Sequence, residues 1–329
     1  MAKRGEEAER FGEFIDRLAE AVGHADRREP LRAYICGLLM AGARKSVEPM
    51  AARVDPRRVS ARHQSMHHFV ATAPWNEVAV IAAARDYVVD ALERHGPVGA
   101  WVIDDTGMPK KGKHSVGVAR QYCGQLGKQE NCQVAVSVSL VNETCSVPAA
   151  YRLYLPESWA NDAERRERAG VPDEISFRKK WEMALEQLDS LIEAEMPRAP
   201  VVADAGYGTA TEFREGVAAR GLSYMVGIDP KTTVWPPGVE PLPAPPRQPR
   251  GRPPKNLRRD DDHRPEAVAD LAAQLKPGSW KKIAWREGTR GSKSSRFARL
   301  RVRAAHRDYW RSSVREREWL LIEWPQSEK

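Results

Sequence analysis

Apolar positions recur at intervals of three and four through the first part of the chain. Phe11, Phe14, Ile15, Leu18 and Val22 form one such series, and Leu31, Tyr34, Ile35, Leu38 and Leu39 a second. That is the period of an amphipathic helix. A third helix is expected over 46–54. Another is expected over 75–92, entered from Pro74 and left before Gly96-Pro97. Residues 6–95 therefore read as a helical bundle, with the segment RHQSMHHF between its helices. His63 and His67 would share a helix face. No carboxylate or cysteine stands near them in sequence to complete a metal set, so a surface face is expected.

From Gly99 the period changes. WVID is a short Val/Ile-rich run, the composition of a buried strand. In QVAVSVSLV, residues 133–141, Val134, Val136, Val138 and Leu140 alternate with Ala135, Ser137 and Ser139. The pattern predicts a strand with one well-buried face. VPAAYRLYL (147–155) is a third strand, and Asn142-Glu143-Thr144 supplies the turn of an antiparallel hairpin. An irregular charged segment with Trp159 and ERRERAG follows. Ser176 is a good cap for a long helix to about Met196, with Phe177, Trp181, Leu185, Leu188 and Ile192 in its apolar stripe. Val201-Val202-Ala203 is a fourth strand ending at Asp204. Residues 209–220 read as a helix stopped by Gly221, and 223–228 as a fifth strand. The order is three strands, a helix, a strand, a helix and a strand.

After Asp229-Pro230 the texture shifts. Residues 235–256 are rich in proline and basic side chains and are expected to form an extended linker. A short helix is expected over 265–275. Strands over 280–285 and 297–304 flank the basic loop REGTRGSKSS, and a last strand covers 319–324. These readings give three expected domains: 1–97 helical, 98–230 a mixed α/β core, and 231–329 a basic, β-rich insertion.

Charge adds direction to this outline. The 329 residues carry a net +8. From Lys231 onward there are 23 Lys/Arg against 12 Asp/Glu, whereas residues 1–230 carry 30 against 33. Excess positive charge confined to one third of a chain favours a polyanionic partner, most often nucleic acid. The His63/His67 face and the Arg-studded 297–304 strand are candidate surfaces for DNA phosphates. Arg250-Gly251-Arg252-Pro253 either lies in an A·T-rich minor groove or is a plain solvated linker. No apolar run reaches the ~18 residues of a membrane span. The charged start MAKRGEEAERFGEF lacks a signal-peptide core. A cytoplasmic protein without a membrane partner is expected. Cys36, Cys123, Cys132 and Cys145 are widely spaced, so reduced structural thiols are expected in place of a zinc site.

The candidate chemistry lies at two strand ends, WVIDDTGMPKKG (101–112) and PVVADAGYG (200–208). Aspartates there are hard oxygen ligands suited to Mg²⁺ or Mn²⁺. WVIDDTGMPKKG, then HSVGVARQYCGQLGKQENCQVAVSVSL and later VVADAGYG, resembles bacterial insertion-sequence transposases of the DDE superfamily. GKHSVGVARQY and KQENCQ are its most specific stretches. The resemblance extends over nearly the whole chain, through YRLYLPESW, the GRPPK linker and the WREGTRG hairpin.

The resemblance implies a ribonuclease-H-like mixed sheet with a helical domain before it and a basic β-rich insertion within it. It implies metal-dependent DNA strand cleavage and strand transfer with Mg²⁺ or Mn²⁺. DNA would be the partner, with a homo-oligomer in the synaptic complex. Asp104 matches the first catalytic aspartate and metal ligand, and Asp204 the second. Asp105 matches a supporting position, and Tyr207 and Gly208 a YG pair, with packing and a tight turn as their expected roles. Lys110, Lys111, Arg120, Arg250, Arg252, Arg290, Lys293 and Arg296 are candidate phosphate contacts, against ordinary surface charge. The family's third carboxylate is a Glu on a helix after the insertion, and no such helix is read here. Glu323 falls in a strand and Glu287 in a hairpin. The expectation is a chain that is partial and weak or inactive alone. Alternatives are a non-catalytic DNA-binding remnant acting as a regulator, or a stand-alone metal-dependent nuclease.

Overall fold

The computed structural model describes residues 2–246, 254–288 and 291–325. The chain is α/β, with helices, a mixed sheet and a second sheet of antiparallel pairings distributed over two compact units. The first unit runs through Ala203 and takes in Gly216–Met225. The second consists of Asp204–Glu215 and the chain from Val226 onward.

Helices α1 (Ala2–Val22), α2 (Arg28–Leu39), α3 (Val47–Val54), α4 (Val59–Ala71) and α5 (Glu77–Arg94) open the first unit. Their apolar stripes close two small cores. Leu18, Val22, Leu31 and Phe69 form one, with Phe14, Ile35 and Trp75 packed on it. Ala33, Met50, Ala51 and Met66 form the other. Trp75 stacks on Phe69 at 5.7 Å and donates its indole N–H to the Phe69 carbonyl at 2.9 Å, so its polar atom is satisfied. Asn76 caps α5 by accepting from the amides of Val78 and Ala79. RHQSMHHF is part of α4 and not an interhelical segment. Met66 and Phe69 turn inward there, and the His63 and His67 rings lie 5.9 Å apart.

The sheet of this unit is ordered β2-β3-β1-β5-β6, with β4 also pairing β3. Its strands are β1 (Ala100–Pro109), β2 (Ala119–Cys123), β3 (Lys128–Val141), β4 (Ser146–Leu153), β5 (Val201–Ala203) and β6 (Tyr224–Val226). β1 and β3 are antiparallel from Ala100↔Val141 to Pro109↔Cys132. β5 joins β1 in parallel, with Trp101↔Val201, Val102↔Val202 and Ile103↔Ala203. β3 corrects the one-faced expectation for 133–141, because Val134 through Val138 are buried without interruption. A strand covered on both faces loses its alternation of exposure. Its small residues Ala135 and Ser137 fit a close-packed face. Asn142 ties the sheet to the bundle, donating to the carbonyls of Leu92 and Gly96 at 2.9 and 3.0 Å.

The charged segment expected to be irregular forms α6 (Glu157–Ala160) and α7 (Ala163–Arg168). The long helix, α8 (Lys180–Glu193), starts three residues later than expected, capped by Lys179 and not Ser176. The Glu182 carboxylate accepts the Lys179 amide at 2.8 Å. The preceding residues are held out of the helix, with Phe177 edge-on to the Tyr154 ring.

The second unit begins with α9 (Ala205–Gly208) and the first residues of α10 (Thr211–Ala219), which reaches across the division. Its sheet comprises β7 (Thr233–Trp235), β8 (Glu266–Ala267), β9 (Lys281–Gly288), β10 (Gly291–Ala304) and β11 (Glu318–Pro325), ordered β11-β10-β7-β8 with β9 on β10. Val234, Val268, Leu271, Val302, Leu320 and Ile322 form its core, beneath the short helix α11 (Val268–Ala273). The linker expected over 235–256 is corrected in its first part, and residues 247–253 of it lie outside the described residues. Trp235 is fully buried in β7, its indole donating to Asp308 at 2.6 Å, and Leu242 bridges to Arg258. The helix expected from 265 begins only at Val268, after the two residues of β8. Among the described residues no helix is long and apolar enough to cross a membrane.

Candidate active site

β1 carries its apolar residues to Ile103 and then delivers two aspartates. Successive strand residues face opposite ways, and the contacts follow that rule. Asp105 turns toward α8, where its carboxylate pairs with Lys180 at 2.5 Å. The Lys180 ammonium also lies 5.3 Å from the centre of the Tyr154 ring. Burial, helped by the negative charges of Glu157 and Asp105, raises the Tyr154 phenol above its usual range. Asp104 is on the opposite face and exposed. Its Oδ1 accepts the Asp105 amide at 2.7 Å, and its carbonyl accepts the Ser137 hydroxyl at 3.2 Å. Of the two, Asp104 is the one oriented away from a lysine and available to a cation.

Asp204 follows Ala203 at the end of β5. Its Oδ1 accepts the Gly206 amide at 2.9 Å, making it the N-cap of α9, and the residue is exposed. Tyr207 is buried with its ring 5.8 Å from Phe213. Gly208 ends α9 and has no positive φ. It allows close approach. A Cβ there would overlap the Gly227 carbonyl oxygen and sit 2.7 Å from Val226 Cβ.

Arg214 is a residue that sequence reasoning missed. It is buried on α10, donating to the Gly208 carbonyl at 2.5 Å, to Thr211 Oγ1 at 3.4 Å and to Glu318 at 2.9 Å. One guanidinium thereby fixes the end of α9 to β11. An arginine at one turn of an amphipathic helix carries no sequence mark that separates it from a solvated one. Asn131, within KQENCQ, was missed likewise. Its side-chain amide donates to the carbonyls of Lys110 and Gly112 at 2.6 and 2.9 Å, pinning the turn after β1.

The candidate phosphate contacts fall into separate groups. Lys110 and Lys111 are exposed on the pinned turn, and Arg120 is exposed on β2. Lys293 and Arg296 are exposed on β10 in the second unit. Arg250, Arg252 and Arg290 lie outside the described residues. Glu287 and Glu323 are exposed on β9 and β11, the latter opposite Phe297. Among the described residues no three His, Cys, Asp or Glu side chains cluster as a metal set. The chemistry of the donors present, exposed carboxylate oxygens of Asp104 within β1 and Asp204 after β5, fits a hard divalent cation that retains several waters.

The apolar run of β1 gives way to exposed Asp104, and that of its parallel neighbour β5 is followed by exposed Asp204. Comparison with known proteins places the chain within a family. The family model described as DDE superfamily endonuclease matches residues 17–292. The chain belongs to that family. A probable transposase for insertion sequence element IS701, from Microchaete diplosiphon, is 31% identical over 166 residues, which is 50% of this chain and 40% of that protein. The present chain thus spans less than half the length of that curated relative.

Proposed function

We propose that this chain is a DNA transposase that acts on the ends of an insertion sequence by metal-dependent strand cleavage and strand transfer. The parallel register of β1 and β5 carries the reading. Ile103 lies beside Ala203, and the residue that follows each is an aspartate. The sheet order, with β4 and β2 along β3, then β1, β5 and β6, supports a ribonuclease-H-like core. On this reading residues 1–97 are a helical DNA-binding domain, 98–230 the catalytic core and 231–329 a basic insertion.

Asp104 and Asp204 would each serve as a hard oxygen ligand for Mg²⁺ or Mn²⁺. Such ions supply Lewis-acid polarisation of a phosphate and a nucleophilic oxygen at neutral pH. The chain's own contribution is orientation. The Asp105 amide fixes the Asp104 carboxylate, and the Gly206 amide fixes that of Asp204. Lys180 holds Asp105 on the far face of β1, where it acts as support. Exposed Lys110 and Lys111 would meet backbone phosphates, as would Arg120, Lys293 and Arg296. DNA and a second copy of the chain are the expected partners.

The test is cleavage and strand transfer by the full chain on a labelled duplex carrying the element's own ends, with Mg²⁺ or Mn²⁺ added. Nicking that requires metal and is lost in both Asp104→Asn and Asp204→Asn supports the reading. Metal-dependent nicking that survives either substitution refutes the assignment.

A further inference from the structure

A basic cavity lies in the first unit. It has a volume of about 380 Å³ and is lined by Lys113, His114, Trp159, Arg165, Arg168 and Ala169. Its cationic side chains come from the 113–118 loop and from α7, and no carboxylate lines it.

The loop is unusually well fastened. Its carbonyls are taken up from beneath. Lys113 O accepts from Arg165 at 2.8 Å, Val116 O from Gln133 at 2.5 Å, and Val118 O from the Trp159 indole at 2.7 Å. Gly117 has φ +76°, and a Cβ there would stand 2.8 Å from the Tyr154 carbonyl oxygen, so only glycine fits the bend. Val118, Leu155 and Trp159 form a buried cluster under it. The Arg165 guanidinium stacks on the Trp159 ring at 3.6 Å, a position in which an arginine is both oriented and weakly hydrated. Lys113 and His114 are left exposed on a rigid loop beside Arg168. Fixed cations in a concave setting lose little entropy when they receive an anion.

We propose that this cavity holds one phosphate group of a bound DNA strand, with Lys113 and Arg168 as its charge partners and Arg165 as the positioning residue that sets the loop. The proposal rests on the reading of the chain as DNA-acting. Arg165 acts through the carbonyls it holds. Lys113 and Arg168 contribute charge without carrying the fold, since Lys113 is exposed and Arg168 has only an exposed i,i+4 pair with Glu164 at 3.7 Å.

The experiment compares the full-length wild type with the K113Q/R168Q double variant, after thermal melts have confirmed equal stability. Duplex affinity is measured from 50 to 200 mM salt, and inorganic phosphate is titrated separately by calorimetry. Each phosphate contact contributes a slope of about −0.9 in log affinity against log salt. The double variant is expected to show a slope shallower by about 0.9, so that the wild type loses about 3.5-fold more affinity across that salt range. An unchanged slope overturns the phosphate site while leaving the DNA reading intact. Loss of inorganic phosphate binding with an unchanged DNA slope makes the cavity a free-anion site and equally overturns the proposal. A wild type that binds no duplex at any salt fails the underlying DNA reading and the cavity assignment with it.

Discussion

Replacing Gly208 with alanine tests how the Asp204 turn is held. One effect favours alanine. Glycine in a helix is about 1 kcal/mol worse than alanine, chiefly because its removal cuts unfolded-chain entropy. Gly208 has no positive φ to forbid the change. One effect opposes it. The added methyl would overlap the Gly227 carbonyl oxygen and stand 2.7 Å from Val226 Cβ. The oxygen belongs to backbone and cannot rotate away, so α9 must shift. Overpacking of this kind costs about 1–3 kcal/mol, occasionally more. With backbone as the obstacle, the upper part of that range applies and exceeds the gain. We expect Gly208→Ala to lose about 1–2 kcal/mol by urea denaturation at unchanged m-value. Gly112→Ala is the control, because nothing lies within 4 Å of a Cβ there. It is expected within about 0.5 kcal/mol of wild type. Equal stability of Gly208→Ala and Gly112→Ala would refute the close-approach explanation.

Other perturbations separate the remaining roles. Arg214→Met leaves Glu318, about a quarter exposed, and the Gly208 carbonyl without that guanidinium. Urea denaturation should show a loss of about 2–4 kcal/mol, somewhat below the full cost of breaking a buried pair, and a neutral result would remove Arg214 from the site's support. Asp105→Asn breaks a partly exposed pair with Lys180 and should cost about 1 kcal/mol or less. It should also leave divalent-metal affinity near wild type, and a loss matching that of Asp104→Asn would reverse the two assignments. Burial, reinforced by the neighbouring Cys123, raises the Cys132 thiol. A raised folded value means that its stabilising contribution is full below the unfolded thiol value of about 8.5 and is lost as pH rises through the folded one. Stability should therefore fall as pH rises above about 8.5, and less so in Cys132→Ala. A dithiol-exchange reagent at pH 8 should titrate half-buried Cys36 and Cys145 while Cys123 and Cys132 stay silent until unfolding.

The abrupt end of the apolar runs before Asp104 and Asp204 is a local signal, but it put the end of the first strand too early: β3 pairs with β1 past Asp104 as far as Pro109. Alternation alone also placed Asp104 and Asp105 on opposite faces. What escaped was decided by distant neighbours. ARQYC has no apolar alternation, yet it is a strand because β3 supplies its partner from Ala119↔Cys132 to Cys123↔Lys128. Ser176 is the better cap by side-chain chemistry, but the segment before Lys180 packs Phe177 against Tyr154 instead of winding into helix. Ser137 and Ala135 looked solvent-facing because small residues signal a close-packed face only once what covers it is known. Trp235 borders a proline-rich stretch whose composition concealed its buried hydrogen bond to Asp308. Arg214 was unreadable because the carboxylate it pairs with, Glu318, lies 104 residues further along the chain.

The central claim is that the carboxylates of Asp104 and Asp204 hold a divalent cation. Calorimetric titration of Mn²⁺ into the full chain, and into Asp104→Asn and Asp204→Asn, tests it most directly. Expected is measurable binding to the wild type, weakened at least about tenfold in each variant, or by about 1.4 kcal/mol. Unchanged Mn²⁺ affinity in either variant would contradict it.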